Sequence, residues 1–133
     1  LILFNEAGVP CVFWGDLLGS PESDDLPAVR ELPILMELRA RAAVGPQHNA
    51  FDDPDVVGFA REGKDEIPGS GCAVILSDRM AAEKTLYVGT CHAGQEWECV
   101  IGGHPSVHVA DDGTLTGVVS DGGLSVYVPR RSA

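Results

Sequence analysis

The chain has 133 residues, 44% of them apolar, with 16 Gly and 9 Pro, so it can bury a core, is rich in turns and does not read as a disordered segment. Twenty acidic against nine basic residues give a formal charge of −11, and the few Arg and Lys are scattered, which excludes a phosphate-tracking surface and attraction to anionic lipid: neither a nucleic-acid nor a membrane partner is expected. Every apolar run is shorter than the roughly 18 to 20 residues of a membrane-crossing helix.

Residues 1–7, LILFNEA, resemble the last turns of an amphipathic helix, with Gly8 where a C-terminal cap belongs. Next comes GVPCVFWGDLLG, in which Val9, Cys11, Val12, Phe13 and Trp14 form a nearly unbroken apolar run ending at Gly15-Asp16. Such a run suits a strand buried on both faces, which requires parallel neighbours and covering helices. Too few residues precede it here to supply them. The polar stretch GSPESDD leads to a second helix, with Pro33 in its first turn, Ile34, Leu35, Leu38 and Ala42 on one stripe, and Gly45-Pro46 as its stop. From about residue 54 the texture changes to short Val-, Ile-, Leu- and aromatic-rich runs separated by turn residues. Strands are expected at 56–61, 72–77, 85–89, 96–101, 107–110, 115–119 and 124–128, with turns at DDG (111–113) and DGG (121–123).

The expected fold is therefore mainly β. An antiparallel β-sandwich over 51–133 is preceded, over 1–50, by a strand and helix that read as the last βα unit of a (β/α)8 barrel. The N-terminal residues show no basic secretory leader, and the compartment is undetermined.

Few residues carry a chemical signal. If 56–61 and 72–77 form an antiparallel hairpin, Asp55 and Asp78 lie side by side at one sheet end, and two carboxylates there suit a hard cation with oxygen ligands. The plainer alternative makes Asp55 a turn or cap residue and pairs Asp78 with Arg79 or water. Asp16 stands at a strand end where barrel enzymes collect catalytic groups, but a capping role accounts for it as well. The four cysteines, Cys11, Cys72, Cys91 and Cys99, read as reduced buried thiols, with a Cys91–Cys99 bridge the minority alternative. Cys91, Cys99, His104 and His108 match no common tetrahedral zinc spacing. Trp97 alternates with Glu96 and Glu98, which turns it inward; Tyr87 and Trp14 read as packing before sugar platforms.

GVPCVFWGDLLG, LPILMELRARAAVGPQHNAFDDPDVVGFAREG, GCAVILSD, LYVGTCHAGQEWECVIG and GGLSVYVPR, taken in this order, resemble the C-terminal end of an α-amylase of the starch-degrading glycoside hydrolases, in its bacterial liquefying and fungal intracellular branch. The resemblance spans essentially the whole chain. It implies a Greek-key C-domain following a catalytic barrel, with that barrel as the partner and α-glucan bound through the parent enzyme. No position here matches the family's catalytic motifs, whose carboxylates a retaining mechanism sets about 5 to 5.5 Å apart. The resemblance also implies calcium held between barrel and C-domain, with Asp55 and Asp78 among its ligands. A stand-alone α-glucan-binding module and an interaction domain unrelated to sugars are the rival readings.

Overall fold

A computed structural model describes residues 32–51, 55–64, 66–78, 80–121 and 123–130. The expected helix over 1–7, the strand around 9–14, Trp14, Asp16 and Cys11 lie outside the described residues. Among the described residues, helix α1 (Leu32–Arg41) is followed by β1 (Gln47–Ala50), β2 (Val56–Arg61), β3 (Cys72–Ser77), β4 (Ala82–Tyr87), β5 (Glu96–Ile101), β6 (Val107–His108), β7 (Thr114–Val119) and β8 (Leu124–Pro129), with a short 3₁₀ turn at Thr90–His92 between β4 and β5.

The strands form two antiparallel sheets. A six-stranded sheet has the order β1-β2-β3-β8-β5-β6, and β4 pairs with β7 in a two-stranded one. β2 and β3 form the expected hairpin, in register from Val56 opposite Ser77 to Arg61 opposite Cys72. Because β8 returns to lie between β3 and β5, the chain crosses between layers rather than meandering, as a sandwich requires.

Alternation along the central strands sorts side chains into two cores. Ala60, Ala73, Ile75 and Tyr127 point toward the two-stranded sheet and meet Leu86, Leu115, Val119 and the fully buried Trp97. Phe59, Cys72, Val74, Val126 and Val128 point the other way, against Leu38 of α1 and Ala42 and Ala43 just beyond it. β2, β3 and β8 are thus apolar on both faces, which is why their sequences read as continuous hydrophobic runs. Two polar groups tie the layers together across β8 and β7: Ser125 Oγ donates to the Val118 carbonyl (2.6 Å), and the Val118 N–H donates to the Tyr127 hydroxyl (2.9 Å). Burial, the dominant influence, raises the Tyr127 phenol above its ordinary range.

The expected strands at 56–61, 72–77 and 96–101 have these limits in the structure, and 115–119 and 124–128 each extend by one residue. The strand expected at 85–89 instead runs Ala82–Tyr87: Ala82, Lys84 and Leu86 face inward while Glu83, Thr85 and Tyr87 face out. Gly89, at φ 112°, lies beyond it in a conformation L side chains avoid. β6 is shorter than expected: the Val109 N–H still bonds the Gln95 carbonyl in register, but the Val109 carbonyl accepts from Gly94 and the Ala110 N–H turns to the Thr114 carbonyl. β1 is absent from the expectations. Its sequence, QHNA, has no β-branched or aromatic residue, and pairing with β2 along its whole length, from Gln47 opposite Arg61 to Ala50 opposite Gly58, makes it a strand.

Candidate functional site

Asp55 and Asp78 occupy the positions just outside the β2–β3 ladder, and the Asp78 N–H donates to the Asp55 carbonyl at 3.1 Å. The backbone thus brings the two acids together at one sheet end, as hairpin geometry requires. Asp78 is exposed and Asp55 half-buried. Calcium takes six to eight oxygens, by general coordination chemistry. Among the described residues no group of three or more His, Cys, Asp or Glu is arranged to hold a metal ion.

Among the described residues the sulfur and imidazole groups do not converge. Cys72, Cys91 and Cys99 are free thiols, so the alternative of a Cys91–Cys99 bridge is not realised. Cys72 is buried as expected, Cys99 half-buried, and Cys91 exposed, contrary to its reading as a buried thiol: it lies in the 3₁₀ turn rather than on an inward strand position. Burial pushes the Cys72 thiol up to about 12, although the nearby Arg61 charge pulls it down. Iodoacetamide at about pH 8 is expected to alkylate Cys91 in the native protein and Cys72 only after unfolding. Equal rates at both, read by peptide mass spectrometry, would contradict the burial. Because an unfolded thiol titrates at 9.0 and native Cys72 near 12, the unfolded chain sheds its proton first. Stability therefore falls as pH rises through that interval.

Trp97 is turned inward, as expected. Its indole N–H donates to Gln95 Oε1 (3.3 Å), and its ring meets His92 edge-on at 5.1 Å. His92 is itself nearly buried, with Nδ1 2.8 Å from Gln95 Oε1 and Nε2 2.5 Å from the Glu62 carbonyl oxygen. Tyr87, by contrast, is 40% exposed and packs edge-on against His48 at 4.8 Å. His48 Nε2 lies 3.1 Å from Glu62 Oε2.

This network forms one wall of a feature that sequence reasoning missed. A groove of about 760 Å³ runs between the Pro68–Ser70 turn and the β5 and β8 ends, lined by His92, Gln95, Glu96, Pro129 and Arg130, and it continues into a second hollow of about 440 Å³ reaching Glu62 and Lys64. Arg130 Nη1 donates to Glu96 Oε1 at 3.1 Å. The residues come from three separate stretches, and only the Gln-Glu beside the inward Trp97 hinted at a polar rim.

No protein-family model matches the chain. It is 37% identical over 133 residues to an α-amylase of Geobacillus stearothermophilus, with 98% of this chain aligned to 24% of that protein. The chain is related to the C-terminal part of α-amylases. A glucan 1,4-α-maltohexaosidase of Bacillus sp. strain 707 is 35% identical over 130 residues, covering 96% of this chain and 25% of that one. Among solved structures, an Anoxybacillus α-amylase superposes with a TM-score of 0.65 at 19% identity, over 98% of this chain and 31% of its own, a likeness of fold. The chain thus spans about a quarter of the length of the curated α-amylase relatives it matches. The two-sheet sandwich is the architecture expected of an α-amylase C-domain.

Proposed function

We propose that this chain is the non-catalytic C-terminal part of an α-amylase, an enzyme that cleaves internal α-1,4-glucosidic bonds of starch or glycogen. The residues before β1 complete the catalytic barrel, and the sandwich that supports it begins at β1 (Gln47–Ala50), a few residues ahead of the expected boundary at 51. The observation that carries this reading is the alignment of nearly the whole chain with the C-terminal quarter of α-amylases. The second core adds support: Leu38, Ala42 and Ala43 attach the sheet to a helix the sequence groups with the barrel, while Leu76, Val100 and Leu124 continue the same face as partly buried apolar surface. A two-faced apolar sheet of this kind is suited to packing against a larger body.

Two experiments test the reading. A reducing-sugar assay on soluble starch should give no turnover with the chain alone; turnover lost on replacing a single acid would overturn it. Co-expression with the G. stearothermophilus α-amylase lacking its matching segment should restore a soluble, active barrel, and failure to do so would also count against it.

Within this reading, Asp55 and Asp78 contribute two carboxylates to a calcium site closed by oxygens of the barrel, so the ion links the two domains. Bound calcium would neutralise like charges and stabilise the folded state by mass action. In the isolated chain, with a partial shell, the effect should be small. In the complete enzyme, Asp78→Asn should remove about 1 to 3 kcal/mol of the calcium-dependent stabilisation, read as the melting shift with and without excess calcium. An equal calcium response in both proteins would remove Asp78 from the ligand set.

A further inference from the structure

We propose that His92, Gln95 and Trp97 form a proton-operated switch: with His92 doubly protonated, Gln95 Oε1 accepts from both neighbours, and loss of a ring proton turns the Gln95 amide over and releases the Trp97 indole. The device lies within the sandwich and does not rest on the α-amylase reading.

Donors and acceptors do not balance for a neutral His92 ring. Nε2 lies 2.5 Å from the Glu62 carbonyl oxygen, and a backbone carbonyl only accepts. Nδ1 lies 2.8 Å from Gln95 Oε1. An amide carries an oxygen on one side and N–H₂ on the other, so that contact alone leaves two orientations open. The Trp97 indole N–H, which only donates, decides between them, because it also points at Oε1, at 3.3 Å. Both His92 nitrogens therefore face acceptors, whereas a neutral imidazole has a single N–H. The imidazolium alone satisfies all three contacts. With His92 only 8% exposed, water is poorly placed to repair a mismatch, and an unmatched pair there is costly.

Of the two acceptors, only one can change its character. Glu62 is pinned by its own N–H on the Pro46 carbonyl (3.0 Å), and His92 is seated closely enough on the β2–β3 connection that a Cβ at Gly71 would lie 3.3 Å from Nε2. Gln95 is exposed, and its side-chain amide can rotate to offer N–H₂ to a bare Nδ1. The same rotation takes the acceptor away from the buried indole. Because Gln95 lines both hollows, it also exchanges the group presented to them.

Charged groups surround the ring on several elements. On β5, Glu96 is paired with Arg130, just beyond β8, at 3.1 Å. From the β2–β3 connection come Lys64 and Glu62, whose carboxylate lies 3.1 Å from His48 Nε2 on β1. Cys91 precedes His92 in the 3₁₀ turn. The two ring hydrogen bonds go to the Gln95 amide and the Glu62 backbone rather than to any of these side chains. The sign follows from the proton count. A folded chain that holds a proton the unfolded chain has released is favoured on the acid side, so the stability due to His92 is lost as pH rises through the switch.

The test follows the ¹³C,¹⁵N-labelled 133-residue chain by NMR from about pH 6 to about pH 9. At about pH 7 both His92 ring nitrogens should carry protons in the folded chain, where the urea-unfolded chain shows mostly neutral rings. As pH rises, the His92 ring, the Gln95 side-chain amide and the Trp97 indole should shift together with one midpoint. Gln95→Glu, at an exposed position, leaves no N–H₂ to offer, so its Trp97 indole should stay bonded across the range. In urea, the unfolding constant of the parent should rise relative to that of His92→Gln by up to about tenfold per pH unit, the limit for one proton. The first two measurements leave His92 unchanged, so they decide the matter even where His92→Gln does not fold. A single protonated nitrogen at about pH 7, an indole that ignores the His92 midpoint, a Gln95→Glu indole that shifts as the parent's does, or equal pH dependence in the parent and His92→Gln would each overturn the proposal.

Discussion

Trp97→Ala is expected to destabilise the folded chain by about 4 kcal/mol, the range for deleting a large buried aromatic with incomplete collapse around the cavity. The side chain is fully buried among Ile75, Leu86, Val88, Leu115 and Tyr127, at the centre of the core between the two sheets. Its removal also takes away the indole hydrogen bond to Gln95 and the edge contact with His92. Gln95 and His92 would then have to re-form the groove wall around an empty volume. Urea unfolding should show a lower midpoint with little change in slope, because the surface exposed on unfolding is nearly the same. Since a domain of this size is stable by only about 5 to 15 kcal/mol, the variant should be close to unfolding under ordinary conditions. A loss below about 1 kcal/mol would mean that Trp97 lies at a surface rather than in the core.

Gly45→Ala should cost about 3 kcal/mol or more through a different mechanism. Gly45 has φ 84°, a left-handed conformation that costs a residue with a Cβ about 1 to 2 kcal/mol. A Cβ there would also lie inside van der Waals contact of the Gly63 carbonyl oxygen, a backbone atom that cannot move aside alone. The segment between α1 and β1 is held to the β2–β3 connection by the Gly63 N–H on the Val44 carbonyl (2.9 Å), the Gly71 N–H on that of Ala42 (2.9 Å), and Arg61 Nε on that of Gly45 (2.8 Å). Forcing Gly45 outward breaks this lattice and detaches α1 from the sheet. Gly69→Ala is the control. Its φ is also positive, at 77°, but nothing lies within 4 Å of the added carbon, so it should lose the backbone term alone. Thermal melting of both variants separates steric from conformational cost; equal shifts would show that the Gly63 contact is not the cause.

The contrast between those two positions defines what was legible in the sequence. Gly45-Pro46 reads as a helix stop from residue types alone, and α1 does end before it. That the turn is clamped against Gly63 depends on a contact between segments 18 residues apart, and no local pattern encodes it. β2, β3 and β5 were legible at their limits because Val, Ile, Leu and aromatic side chains, punctuated by Gly and Asp, carry their own preference for a pleated, buried surface. β1 was not, since QHNA has no such preference and is a strand through its pairing with β2.

The same division runs through the chemistry. The adjacency of Asp55 and Asp78 follows from the β2–β3 register, and a hairpin's register is a local property that sequence can supply. Trp97's inward orientation follows from period-two alternation with Glu96 and Glu98. The groove does not follow from any such rule. It requires β8 to return beside β5, which brings Arg130 to Glu96 across 34 residues, and it requires the turn before β3 to face both. By itself, then, the sequence determined the strands with intrinsic β preference, the hairpin that pairs the two acids and the likeness to α-amylases. The tertiary structure decided β1, the two-faced burial of the central sheet and the groove, because each depends on non-local pairing, where sequence separation and spatial separation cease to correspond.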